Sequence, residues 1–270
     1  MRKNRRKGWP EMSRKSVFSP VMFSLVLTFF YMPLLILIVF SFNDSKTMSW
    51  SGFSLRWYQE LFFNSRSLWN SFLNSLIVAA SSATLSTIIG TLGAIGIYWY
   101  NFRFKRILQA ATFLPLILPE IIIGVSLLIF FAGIKLHLSL FTIFLAHTTF
   151  NIPFVLLLVM ARLEEFDFSI IEAAYDLGAR EIDALLKVII PVSFPGILSG
   201  FLMAVTLSLE DFVITFFVAG PGSSTLPLHV YSMIRFGVSP VINALSVIII
   251  AGTIVLAVST RNFAKYLVQR

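Results

Sequence analysis

The chain is 270 residues long, 57% hydrophobic and only 13% charged, with a mean hydropathy of +0.86. Soluble domains carry roughly 25% charged residues, so this composition excludes an ordinary soluble domain and indicates a protein dissolved in lipid. The absence of cysteine excludes disulfides, thiolate catalysis and Cys-ligated metal sites, and the net charge of +8 comes from basic residues beside apolar segments rather than from a nucleic-acid surface.

The first predicted element is a transmembrane helix over 17–42, behind a basic leader over 1–16. Its apolar run is about twice as long as a signal-peptide core, and no small-x-small cleavage site follows it. We therefore expect a retained anchor with a cytoplasmic leader. The rest of the segment 17–67 is predicted to be a polar external loop whose aromatic side chains suit the membrane interface.

Three further spans are predicted over 69–99, 107–133 and 139–161. The first of these is rich in Gly, Ala and Ser, which let helix backbones approach closely in lipid, so it should pack inside a bundle. The other two contain Pro115, Pro119 and Pro153. Because neighbouring helices can satisfy the carbonyls that a proline leaves unbonded, we expect kinks here rather than breaks.

The rest of the chain contains two more spans and the longest polar stretch after the leader. The polar stretch covers 162–193, and the fifth and sixth spans cover 194–219 and 241–260. An external loop over 220–240 separates these spans, and a basic tail over 261–270 closes the sequence. The predicted fold is an all-α integral membrane protein with six transmembrane helices.

Lys and Arg are distributed unequally over the predicted loops. The leader, the turn after the second span, the polar stretch and the tail hold 16 of the 21 basic residues, and the alternate loops hold 5. By the positive-inside rule the basic side is cytoplasmic, so both termini are expected in the cytoplasm. An even number of spans requires the same arrangement.

The polar stretch is predicted to form a cytoplasmic helical hairpin. Ser169, followed three residues later by Glu172, has the spacing of a capping box, so a helix should start there. Gly178 suits the left-handed position that follows a helix. A second helix should run over 180–190 and end before Pro191.

The hairpin also contains a motif with defined spacing. Its residues are Glu172, Ala173, Ala174, Gly178 and Pro191. The pattern resembles the EAA motif of type I ABC importer permeases and departs from it only at Val188 and Ile190, which replace Ile and Leu. The alternative is an ordinary amphipathic connector, but the motif lies between the fourth and fifth of six predicted spans, which favours the resemblance.

This resemblance implies a type I ABC permease domain over 68–260, with a hairpin over 169–191 that docks on a cytoplasmic ATPase. The small Ala173 and Ala174 would permit close approach, and Glu172 would offer a charge to the partner. The implied partners are a homologous permease subunit, two copies of the ATPase and an external substrate-binding protein. ATP and Mg²⁺ would bind to the ATPase, and this chain, which lacks GxxxxGK[ST], would bind no cofactor.

Three other stretches add to the resemblance, namely 113–126, 146–154 and 208–212. They are similar to permeases of spermidine/putrescine importers of the PotC type. This similarity implies a PotB-type permease, a PotA-type ATPase dimer and a PotD-type binding protein as partners, in a bacterial inner membrane. Spermidine and putrescine both remain candidate substrates, and the alternative is a permease for another small solute, such as iron, an oxyanion or an opine.

Three carboxylates fall inside predicted spans, those of Glu120, Glu210 and Asp211. Glu120 and Glu210 follow Arg106 and Pro195 by about 21 and 23 Å of helix, so they share a depth. Ionisable groups at such depth mark transport paths, so we expect an acidic station for a polycationic substrate. Since adjacent residues on a helix are about 100° apart, one of Glu210 and Asp211 should line the path and the other should bond to a neighbouring helix.

The alternative for these carboxylates is a protonated or paired structural role, although the sequence offers no cationic partner inside the spans. His137, His147 and His229 are too scattered for a zinc motif, and His147 with Asn151 at i+4 is typical of interhelical hydrogen bonding. An intramembrane hydrolase is disfavoured, because aspartyl chemistry requires two Asp residues and only Asp211 lies in a span. The chain is therefore expected to transport rather than to catalyse.

Overall fold

A computed structural model describes residues 18–46, 49–165, 167, 169–236 and 240–268, most of which are helical. In chain order the helices are α1 Phe18–Phe40, α2 Arg56–Gln59, α3 Arg66–Trp99, α4 Lys105–Ile117, α5 Glu120–Gly133, α6 Leu140–Glu164, α7 Ser169–Asp176, α8 Glu181–Ala184, α9 Ile190–Glu210, α10 Val213–Val218, α11 Leu226–Phe236 and α12 Val241–Val268. Short π-helical turns continue α2 over Glu60–Asn64 and α8 over Leu185–Ile189. The all-α prediction is confirmed, and the predicted leader lies outside the described residues.

The described residues belong to two compact units. The described residues of 18–64 and 240–268 form one unit, and those of 65–236 form the other. In the first unit, Trp57 is 3% exposed and donates its indole N–H to the carbonyl of Asn43 at 2.6 Å. The Asn43 side chain bonds to the backbone of Ser49 and Ser51. This part of the predicted external loop is therefore folded around a buried Trp57, and the placement of the loop's aromatic side chains at a membrane interface stays a prediction.

Small residues bring α3, α6 and α9 together in the second unit. Val155 of α6 is fully buried between two glycines. A Cβ atom added to Gly90 of α3 would lie 2.8 Å from the Cβ of Val155, and one added to Gly200 of α9 would lie 3.1 Å from its Cγ1. The expectation that the 69–99 segment packs closely inside a bundle is confirmed at this contact.

The third predicted span is broken rather than kinked. Its two halves, α4 and α5, meet at an angle of 111°. Leu118 has φ −76° and ψ 139°, the extended conformation that a following proline favours. The expectation of a kink is therefore wrong at Pro119, whereas Pro115 and Pro153 stay inside α4 and α6.

The second arm of the hairpin differs from its prediction, because the helix does not end before Pro191. A single helical run over Glu181–Glu210 comprises α8, its π turn and α9. Proline has no N–H to donate to the preceding turn, and the π turn over Leu185–Ile189 lies directly before this position. The hairpin arm and the following span are therefore one continuous helical run.

The predicted fifth span is also wrong at its C-terminal end. The 194–219 segment was expected to be one helix, but α9 ends at Glu210 and α10 begins at Val213. Asp211 between them has φ −64° and ψ 122°, which is extended. The two adjacent acidic residues therefore do not share a helix, and their side chains are not related by the 100° spacing of a helix.

Several helices are long and apolar enough to cross a membrane. Within the described residues there are four such helical runs, or five if the bent α4–α5 pair is one span. The helix α12 covers the predicted sixth span and continues through 261–268 of the predicted tail, but its apolar part is the shorter Val241–Val255. The multi-pass architecture is confirmed, and the count of six spans stays a prediction.

We predict that Gly90→Ala lowers the free energy of unfolding by about 1–3 kcal/mol, because the new methyl group overlaps Val155 at its branch point. The matched control is Gly96→Ala in the same helix, where an added Cβ meets no atom within 4 Å. Thermal unfolding of the protein in detergent should show a lower midpoint for Gly90→Ala only. Equal midpoints for the two variants would contradict the tight contact at Val155.

Candidate functional site

Asp211 lies in the break between α9 and α10, and its carboxylate is almost fully buried. Its Oδ1 accepts the N–H of Ile214 at 3.2 Å, and its Oδ2 accepts the N–H and the O–H of Thr215 at 2.8 and 2.7 Å. The first amides of a helix have no partner within the helix. The Asp211 carboxylate therefore accepts hydrogen bonds from backbone N–H groups at the start of α10 that have no partner within the helix.

His147 of α6 is the second buried partner of this carboxylate. Its Nε2 lies 3.1 Å from Oδ2 of Asp211 and 2.9 Å from the hydroxyl of Thr215. Its Nδ1 lies 2.6 Å from the hydroxyl of Ser208 on α9, which in turn accepts a hydrogen bond from Ser82 of α3 at 3.3 Å. The spans therefore do offer Asp211 a polar partner, the imidazole of His147, so the paired structural role weighed for these carboxylates applies to Asp211.

Glu120 and Glu210 lie at two helix breaks, Glu120 as the first residue of α5 and Glu210 as the last residue of α9. Both residues are exposed, and all three carboxylates lie close enough to interact electrostatically. The helices α5 and α10 pack tightly beside them, since a Cβ on Gly124 would lie 2.7 Å from the ring of Phe217. The structure therefore brings together the three carboxylates that the sequence singled out.

The two adjacent acidic residues have different surroundings. Asp211 is hydrogen-bonded to a neighbouring helix, whereas Glu210 is exposed. This arrangement has the form that the sequence suggested, with one bonded carboxylate and one available carboxylate, although the cause is a helix break and not the angular spacing of a helix. The role of Glu120 and Glu210 in a substrate path stays a prediction.

The sequence predicted interhelical hydrogen bonds for His147 and Asn151, and this prediction is confirmed. Asn151, one turn further along α6, donates from Nδ2 to the carbonyl of Ala204 on α9 at 3.2 Å. Both side chains thus bond across helices. The link to Asp211 spans 64 residues, so only the packing of α6 against α9 could reveal it. The other two histidines lie elsewhere, His137 between α5 and α6 and His229 on α11.

The first helix of the hairpin ends before Gly178, as predicted. Gly178 has φ +84°, the left-handed conformation that favours glycine. Its N–H donates to the carbonyl of Tyr175 at 2.9 Å, and the N–H of Ala179 donates to the carbonyl of Ala174 at 3.0 Å. These two bonds form a Schellman motif, which satisfies the last carbonyls of α7 and turns the chain.

The start of α7 differs from the predicted capping box. Ser169 is the first residue of the helix, and its N–H donates to the carboxylate of Asp167 at 3.0 Å. The hydrogen bonds from Ser169 lower the pKa of Asp167. The acceptor at the helix start is therefore the Asp167 carboxylate, and Ser169 lies inside the first turn rather than before it.

Motif residues of the hairpin are exposed, and a different residue packs the hairpin against the rest of the unit. Glu172 and Ala173 are exposed, and Leu177 beside the turn is 89% exposed. Ile171, in contrast, is buried in the same apolar cluster as Ile189. The hairpin therefore presents a small, partly apolar surface with the exposed carboxylates of Glu172, Asp176 and Glu181, which suits a protein partner.

Charged side chains stabilise the second arm. The carboxylate of Asp183 accepts hydrogen bonds from Lys187 at 2.8 Å and from Arg180 at 2.9 Å. These bonds, that of Lys187 foremost, lower the pKa of Asp183. The pairing favours the ionised carboxylate of Asp183. Its contribution to the stability of the folded protein is therefore present at neutral pH and is lost as the pH falls through the lowered pKa.

Comparison with known proteins identifies relatives of the whole chain. Residues 86–270 match the family described as binding-protein-dependent transport system inner membrane component. The chain is 39% identical over 241 residues to the spermidine/putrescine transport system permease protein PotC of Escherichia coli (strain K12), which covers 89% of this chain and 91% of the relative. It is 40% identical over 244 residues to the putrescine transport system permease protein PotI of the same strain, which covers 87% and 86%.

A solved structure shares the fold. It is the crystal structure of a bacterial ABC transporter involved in the import of the acidic polysaccharide alginate, with a TM-score of 0.70 over 91% of this chain and 95% of that chain. The sequence identity is 17%, so this likeness concerns the fold alone.

We predict that Gly178→Ala destabilises the end of α7 by about 1–2 kcal/mol, because a Cβ is disfavoured in the left-handed conformation. Gly178→Asn is the matched control, since Asn tolerates this conformation better than other non-glycine residues. Hydrogen exchange of the backbone amides at positions 178 and 179 should accelerate in the Ala variant and change less in the Asn variant. Equal protection in the two variants and the unmodified protein would contradict the role assigned to the turn.

Proposed function

The chain belongs to the family of binding-protein-dependent transport system inner membrane components, and from this premise we propose that it is the permease subunit of an ATP-driven importer of polyamines. Relatives named for spermidine and putrescine, about 40% identical over most of their length, support the substrate class. The chain is a multi-pass protein of the inner membrane. Its basic residues support an orientation with both termini in the cytoplasm.

The observation that carries the proposal is the pair of exposed carboxylates at two neighbouring helix breaks. Glu120 and Glu210 offer negative charge at a depth where an ionisable group is costly unless it serves a function. The last carbonyls of α9 lack helical partners and add the negative end of the helix dipole beside Glu210. Such a site suits a molecule with several ammonium groups.

The fold by itself does not select a cation. The alginate importer shares the fold at 17% identity, and the substrate named for that transporter is an acidic polysaccharide. The side chains at the helix breaks must therefore carry the preference. In our proposal Glu120 and Glu210 line the path, and Asp211 stabilises the break between α9 and α10 by its hydrogen bonds to the start of α10.

The hairpin is the proposed docking element for the ATPase. Glu172, Ala173 and Ala174 would face the partner, Gly178 would shape the turn, and Pro191 would lie at the base of the second arm. The helical run over Glu181–Glu210 then joins the docking element to the acidic station. At about 1.5 Å per residue this run is about 45 Å long, so a displacement of the hairpin is carried along one helix to Glu210.

A permease of this family works with an ATPase and a binding protein. We propose a PotA-type ATPase dimer, a PotB-type permease and a PotD-type binding protein as the specific partners. ATP and Mg²⁺ bind to the ATPase, and this chain binds no cofactor of its own. ATP would favour one of two conformations by binding it more tightly, and the hairpin would transmit that preference as alternating access to the path.

Uptake measurements test this function. Proteoliposomes containing the chain with its partners should accumulate radiolabelled spermidine or putrescine only when ATP is present on the ATPase-facing side. Gly178→Asp should abolish accumulation, because it places a negatively charged side chain on the exposed turn of the proposed docking element. ATP hydrolysis without polyamine uptake would contradict the substrate class and favour another small solute, such as iron or an opine.

Amide variants test the acidic station. Glu120→Gln and Glu210→Gln should each lower polyamine uptake about tenfold, because an amide cannot balance the ammonium charge at membrane depth. The matched control is Glu164→Gln, which removes an exposed carboxylate at the end of α6, about 25 Å of helix from His147. Basal ATP hydrolysis should be unchanged in all three variants. Normal uptake by both path variants would rule out the acidic station.

A further inference from the structure

A chain of buried hydrogen bonds ties three long helices to the break beside Glu210. It runs from Ser82 of α3 to Ser208 of α9, then to His147 of α6, and ends at Asp211 and Thr215. All five residues are at most 8% exposed. In a buried polar network each hydrogen bond strengthens its neighbours. When every donor and acceptor has a partner, the network favours a single arrangement of the helices.

The donors and acceptors of this chain match when the proton of His147 lies on Nε2. The hydroxyl of Ser208 then donates to Nδ1, and Nε2–H donates to Asp211. Ser82 donates to the oxygen of Ser208. The imidazole thus has a donor on one nitrogen and an acceptor on the other, the arrangement that the neutral ring requires.

The Asp211 carboxylate has little capacity left for a substrate. It accepts two backbone N–H groups, the hydroxyl of Thr215 and the Nε2–H of His147. Three of these donors bond to Oδ2 and one bonds to Oδ1, so of about four acceptor positions a single one on Oδ1 remains, on a side chain that is only 5% exposed. Asp211 is therefore engaged in holding the backbone, whereas its neighbour Glu210 is exposed.

We propose that His147 is a positioning residue for transport: through Asp211 it fixes the break between α9 and α10, and thereby the placement of Glu210 beside Glu120. The inference rests on the proposed function for the role of those two glutamates, and it adds a residue that touches no substrate. It also assigns Asp211 to the support of the site rather than to the path.

The chemistry of the imidazole gives a graded set of variants. Gln places an amide N–H near the position of Nε2, Asn places one near Nδ1, and Phe keeps the ring shape without a hydrogen bond. His147→Gln should therefore retain contact with Asp211, whereas His147→Asn and His147→Phe should lose it. The matched control is Asn151→Leu, which removes another hydrogen bond between α6 and α9 but none to the break.

A labelling experiment reports on the placement of Glu210 without any need for transport. The chain contains no cysteine, so Glu210→Cys introduces a single thiol into this subunit of the assembled transporter. We expect its rate of modification by a cationic methanethiosulfonate reagent to change about tenfold when His147→Phe or His147→Asn is added, because the break loses its support. His147→Gln and Asn151→Leu should leave the rate within about twofold.

Uptake with Glu210 intact completes the test. His147→Phe should lower polyamine uptake about tenfold, with part of the loss recovered in His147→Gln. Unchanged labelling in His147→Asn and His147→Phe overturns the inference, even if the wild-type transporter imports polyamines. A labelling change in a transporter that imports no polyamine supports the positioning role and contradicts the proposed substrate. If the Phe variant fails to assemble, the difference between the Gln and Asn variants decides.

Discussion

The structure depends on hydrogen-bond partners for the backbone groups that a helix break exposes inside a membrane protein. Backbone groups at a break have no water to bond in lipid, so the protein must supply the partners. At the end of α9 the Asp211 carboxylate does so, accepting the first amides of α10, and His147 supports that carboxylate from α6. The packing around Val155 holds α3, α6 and α9 close enough for this network to form. In our proposal this support fixes the position of the exposed Glu210 beside the break.

The same helical run connects the break to the hairpin. The run over Glu181–Glu210 begins in the second arm of the hairpin, where Asp183 is bonded to Arg180 and Lys187, and it ends at the proposed acidic station. A long helix is stiff along its axis, so movement at one end is transmitted to the other. The geometry therefore relates the proposed docking element to the proposed substrate site within one chain, while the source of energy lies in a partner.

Much of this arrangement could be predicted from the sequence because its signals are local. Gly178 needed a left-handed turn, and hydropathy located the long helices. The sequence missed features that depend on packing. A proline in an apolar run can mark either a kink or a break, and only the extended Leu118 settles the case of Pro119. The break at Asp211 has no proline or glycine beside it, so hydropathy treated 194–219 as one helix. The pairing of Asp211 with His147 joins residues 64 positions apart, which no local pattern records.

The central claim is that a polycation passes between Glu120 and Glu210, and photo-crosslinking tests it most directly. A spermidine analogue with a photoactivatable group would be delivered to the assembled transporter by its binding protein, and the modified peptides would be identified by mass spectrometry. We expect labelling at the start of α5 and the end of α9, suppressed by excess spermidine and reduced in the two amide variants. Competable labelling of this chain that avoids both helix ends would contradict the account.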